Sequence, residues 1–100
     1  MKYNKLVRDK IPERIRQKGE TPITHIADEA EYWQKLKEKL IEEFEEFKKD
    51  ESVGELADIL EVIDAMVEYK GFGMAEVNKI KDQKAEERGK FKERIILDES

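Results

Sequence analysis

One hundred residues are enough for a single domain, residues 1–100, but such a chain buries only about 60–65% of the surface it exposes when unfolded. Acidic side chains outnumber basic ones by 25 to 20, and the net charge of −5 disfavours general binding to nucleic-acid polymers through their phosphates. No apolar run approaches the length of a membrane span, no leader-like apolar stretch opens the chain and there is no cysteine, so a cytoplasmic protein without a membrane partner is expected.

The opening MKYNKLVRDK is basic, with Lys5, Arg8 and Lys10, and has no clear period. Pro12 suits the first turn of a short helix, PERIRQK, which Gly19 can end. TPITHIAD alternates Ile23 and His25 against Thr24 and Ile26, which predicts a short edge strand over about residues 22–27. A lone histidine there reads as structural or exposed. Asp28 and Glu31 form a capping-box pattern that opens a long helix reaching about Lys49. Ser52 and Glu55 repeat the pattern for the next helix, which Gly71 ends. A third main helix is predicted from about Met74 to Arg88, with Val77, Ile80 and Lys84 along one side and Gly89 beyond it. The tail contains Ile95, Ile96 and Leu97, so residues 93–97 are expected to pair as a strand with 22–27.

The two central helices carry the chemistry. At about 100° per residue, Trp33, Leu36, Leu40, Phe44 and Phe47 share one stripe of the first. Glu43 falls at its edge and Glu46 one turn further on the same flank, while Glu42 and Glu45 point to solvent. On the second helix Leu56, Ile59, Leu60, Ile63, Met66 and Val67 make the apolar arc. Glu55 lies just inside its edge and Asp58 beside it; Glu61, Asp64 and Glu68 sit opposite. Antiparallel packing through these stripes brings Glu43, Glu46, Glu55 and Asp58 together. Converging carboxylates repel one another and lose hydration, which protonation, basic partners or a bound cation can relieve. Oxygen ligands of this charge suit Mg²⁺ or Mn²⁺ rather than zinc. The same residues also admit a plainer reading, with Glu55 serving as a helix cap and Glu43 and Glu46 paired to lysines such as Lys39.

Three stretches together, YNKLVRDKIPE, KLIEEFEEF followed by ELADILEVI, and KAEERGKFKERIIL, resemble a MazG-like group of small proteins. That group belongs to the all-α NTP pyrophosphatase superfamily, with MazG, the dimeric dUTPases and phosphoribosyl-ATP pyrophosphohydrolase. The resemblance spans nearly the whole chain, with Lys90 standing where a second glycine is more usual. It implies hydrolysis of a nucleotide's α–β phosphoanhydride to the monophosphate and pyrophosphate, including house-cleaning of non-canonical nucleotides, by a Mg²⁺-dependent homodimer or tetramer. It also implies metal ligation by Glu42, Glu43, Glu46, Glu55 and Asp58, with catalysis drawing on the last four. Asn78, Lys84 and Arg88 correspond to positions that serve the nucleotide and its phosphates. The expected architecture is mainly α, a bundle of antiparallel helices completed by a partner chain, with a minor two-stranded β element. The alternatives are a phosphoribosyl-ATP pyrophosphohydrolase-like activity and a non-enzymatic helical dimerisation or binding module.

Overall fold

The computed structural model describes residues 3–100; Met1 and Lys2, which open the basic N-terminal segment, lie outside the described residues. Four helices follow in order: α1 (Ile11–Gln17), α2 (Glu29–Lys49), α3 (Val53–Lys70) and α4 (Met74–Arg88). Their limits follow from local chemistry. Pro12 occupies the first turn of α1, and Gly19, at φ 85°, carries the chain out of it. Asp28 accepts a hydrogen bond from the Glu31 amide to start α2, and Ser52 accepts one from the Glu55 amide to start α3. Gly71, at φ 73°, ends α3 in the left-handed conformation that an L side chain resists.

The main packing is between α2 and α3, a hairpin joined by only three residues, with a smaller contact between α3 and α4. A connection this short makes the two helices antiparallel neighbours. The far end is clamped by aromatic side chains. Tyr69 stacks on Trp33 with ring centroids 5.1 Å apart and meets Tyr32 edge-on, and its hydroxyl donates to the Glu29 carbonyl. Trp33 is therefore packing for the hairpin. Leu36, 1% exposed, and Val62, 8% exposed, are the buried centre of the interface.

The N-terminal segment crosses this hairpin as a strap. Lys35 donates to the Asn4 carbonyl, Lys5 pairs with Glu42 on α2, and Arg8 pairs with Asp58 on α3. Asn4 turns at φ 45° to make the crossing.

The expected β element is not formed: among the described residues there is no strand. Residues 22–27 are irregular, with Ile23 and Ile26 both exposed and His25 drawn to Glu31, its Nε2 lying 2.9 Å from one carboxylate oxygen. Residues 93–97 fail for a second reason. Arg94 has φ 59° and its amide bonds the Phe91 carbonyl, so the start of the tail is a turn. Short alternation without a partner at hand does not make a strand. No helix among the described residues is long and apolar enough to cross a membrane.

The single chain leaves much apolar surface uncovered. Its radius of gyration is 17.7 Å, against about 13 Å for a compact domain of this length. It exposes 9339 Å², where a compact monomer of this mass exposes about 5,900 Å². The difference exceeds the roughly 800 Å² per partner that a stable interface buries. Part of it lies on the two irregular segments and part on the hairpin, where Ile41, Phe44, Leu56 and Leu60 remain exposed. Light scattering at micromolar concentration should therefore report at least twice the 11.8 kDa chain mass. The mass of one chain would contradict this.

Candidate metal centre

At the turn end of the hairpin, α2 presents Glu43 and α3 presents Glu55 and Asp58, spaced three apart on one face. One carboxylate oxygen from each lies within 4.8 Å of the others. The Glu43 side chain is only 13% exposed, although it is charged. Glu46 is exposed and is not one of the three converging groups, but its charge reaches Glu55. Glu42 lies on the other flank of Glu43. It is half-buried beneath Lys5 and Lys39, at 2.8 and 3.3 Å, which corrects its expected solvent-facing position. A helical wheel sees only its own helix, and Lys5 reaches Glu42 from 37 residues earlier.

The carboxylates are unequally balanced. Arg8 donates to Asp58 at 2.8 Å, and Lys39 lies 3.4 Å from Glu43. Burial opposes ionisation of Glu42, but hydrogen bonds from Lys5 and Lys39 outweigh it and hold the carboxyl below its ordinary range. Among the described residues no cation pairs with Glu55. Loss of hydration, then the charges of Asp58, Glu46, Glu43 and Asp50, all push its carboxyl above the ordinary range. Lys5, Lys39 and Arg8 thus reach Glu42, Glu43 and Asp58, while Glu55 sits among negative charges.

Glu55 is not held in a reciprocal capping box. Its backbone amide bonds Ser52 Oγ, but the Ser52 amide donates to the Asp50 carbonyl at 2.8 Å rather than to the Glu55 carboxylate. The side chain is thus free to turn towards Glu43 and Asp58.

The donors suit a hard cation. All three offer carboxylate oxygen, and no sulfur or imidazole ligand stands among them. Adjacent ligands of an octahedral Mg²⁺ are about 2.9 Å apart, so these oxygens would have to draw together to share one ion. Glu43, Glu55 and Asp58 are the residues able to hold it, with Glu46 and Glu42 beside them.

The basic candidates are arranged differently from expectation. Asn78, Lys84 and Arg88 are exposed on α4, and among the described residues none makes an ion pair or hydrogen bond with the carboxylates. The cations that do reach them are Lys5, Arg8 and Lys39. The ambiguous basic character of the opening segment was the signal for the first two; only the fold reveals where they go.

No family model matches the chain, and no solved structure matches it. An uncharacterized protein of Mycolicibacterium smegmatis is 49% identical to it over 43 residues, which cover 43% of this chain. The chain spans 44% of the length of that relative.

The unbalanced Glu55 makes a thermodynamic signature. With its carboxyl raised, the folded state keeps the proton to higher pH than the unfolded chain does, so stability falls as pH rises through that interval and stays lower above it. In EDTA at pH 7, Glu55→Gln should raise the melting temperature. Below the ordinary glutamate value of about 4.3 the gain should vanish. Glu61→Gln, on the exposed face, should change stability by less than about 0.5 kcal/mol. A Glu55→Gln protein no more stable than the parent at pH 7 would show that Glu55 bears no electrostatic strain.

Proposed function

We propose that this chain is a Mg²⁺-dependent nucleotide pyrophosphohydrolase, a hydrolase that cleaves the α–β phosphoanhydride of a nucleoside triphosphate or related nucleotide. The products are the monophosphate and pyrophosphate. The observation that carries the reading is the convergence of Glu43, Glu55 and Asp58 from two antiparallel helices within 4.8 Å. The resemblance of its three motif stretches to the MazG-like pyrophosphatases supplies the reaction class. The reading brings with it a homodimer or tetramer acting in the cytoplasm, on substrates that include non-canonical nucleotides.

In this reading Glu43, Glu55 and Asp58 hold the ion, Mg²⁺ or Mn²⁺, and Glu42 orients the lysines beside it. When bound, the ion supplies positive charge against the phosphate oxygens as negative charge develops on them. A carboxylate among Glu43, Glu46, Glu55 and Asp58 accepts the proton of the attacking water. Lys39 places a positive charge beside Glu43 and Glu42. Asn78, Lys84 and Arg88 on α4 are assigned to the rest of the nucleotide.

A panel of canonical and modified nucleotides with Mg²⁺, read separately for pyrophosphate and for phosphate, tests the proposal. Pyrophosphate with equimolar monophosphate is expected, and Glu55→Gln should lower turnover by about a hundredfold or more while the helical content persists. Turnover of phosphoribosyl-ATP alone would narrow the substrate to that branch. Phosphate release, or no release from any nucleotide, would contradict the proposal and favour a helical binding module.

A further inference from the structure

Two apolar surfaces of this chain stand uncovered, and they differ in charge. The first is on the hairpin. Counting about 100° per residue from the buried Leu36 on α2 and Val62 on α3, Phe44 and Ile41 turn one way on α2, and Leu56 and Leu60 turn the same way on α3. In antiparallel helices the same sense of rotation points to the same side. Glu42 and Asp58, which hold the strap, turn the other way. The four exposed apolar side chains therefore form one face, on the side of the hairpin that the strap leaves open. The turn end of this face is acidic: residues 42–58 carry eight carboxylates against two lysines.

The second surface is the C-terminal segment. Phe91, Ile95, Ile96 and Leu97 are between 78% and 98% exposed. Around Phe91 the charge is reversed, with Arg88, Lys90, Lys92 and Arg94 against the single acid Glu93. Among the described residues no hydrogen bond or ion pair ties 89–100 to α2 or α3. The preceding helix α4 packs only lightly on α3. The molecule is 55 Å long, where α2, the longest helix, spans about 31 Å. α4 and the segment after it are an arm rather than a layer on the hairpin.

Opposite charge and shared apolarity make each surface the complement of the other, and every copy carries both. Two copies that exchange arms about a two-fold axis fill two identical seats. Each copy then gives a tail to one seat and a face to the other, which brings burial towards the roughly 800 Å² per partner of a stable interface. We propose that residues 89–97 of a second copy seat on the face of Ile41, Phe44, Leu56 and Leu60, with Lys90, Lys92 and Arg94 against the carboxylates of the turn end. The exchange is reciprocal. It needs no ion at the carboxylates and is independent of the proposed activity.

The chain has no cysteine, so single introduced cysteines report proximity without interference. In an equimolar mixture of Glu51→Cys and Lys92→Cys proteins, a short bismaleimide should give cross-linked pairs at several times the yield of either protein alone. A double variant carrying both cysteines, diluted into excess parent, should lose its cross-links. Equal yields from the mixture and from each protein alone would overturn the proposal. So would a cross-link that persists within single chains on dilution, because the tail would then lie on its own hairpin. Phe91 is almost wholly exposed, so Phe91→Asp leaves the folded chain intact. It should weaken self-association at least tenfold, read by light scattering over a dilution series with helical content unchanged. Unchanged self-association would remove the tail as occupant while leaving the oligomer standing, and a parent of single-chain mass would overturn both.

Discussion

Three carboxylates drawn to one seam by the packing of two helices are the constraint around which the rest of the molecule is arranged. Lost hydration and the charges of Asp58, Glu46 and Glu43 together raise the proton affinity of Glu55. The chain answers with cations from two directions, Lys39 from within α2 and the strap of Lys5 and Arg8 from the N-terminus. One carboxylate, Glu55, has no cationic partner among the described residues.

The hairpin holds this arrangement in register from both ends. At the turn, three residues and the Ser52 cap fix where α3 begins, and so which of its side chains oppose Glu43. At the other end Trp33, Tyr32 and Tyr69 lock the helices against sliding, with Lys70 lying 4.6 Å over the Trp33 ring. Between them Leu36 and Val62 make a narrow core. That core is small for a 100-residue chain, and the exposed Phe44, Leu56 and Leu60 leave a second apolar surface on the same pair of helices.

What could be seen in the sequence was whatever local chemistry determines. Asp28, Ser52 and Gly71 mark helix ends because capping and left-handed turns depend on a few neighbouring residues, and the start of α2 and both ends of α3 follow from them. The convergence of Glu43, Glu55 and Asp58 was also legible, since helical period and an antiparallel partner suffice to bring those edges together. Glu46 was expected in the same seam, but its angular position on α2 does not say which side of the hairpin is covered, and it stands in solvent. Glu42 went the opposite way because the strap that covers it comes from far along the chain. The strand pair failed for the same reason of distance: alternation at 22–27 and 93–97 describes each segment, not whether they meet.

The central claim is that the unbalanced seam is a place for a divalent cation, and thermal unfolding measures it most directly. A ligand at a hundred times its dissociation constant stabilises the state it binds by about 2.7 kcal/mol. Mg²⁺ added to the parent protein in metal-free buffer should therefore raise its melting temperature by several degrees, and Glu43→Gln should abolish that response. No rise in the parent, or an equal rise in Glu43→Gln, would contradict the account.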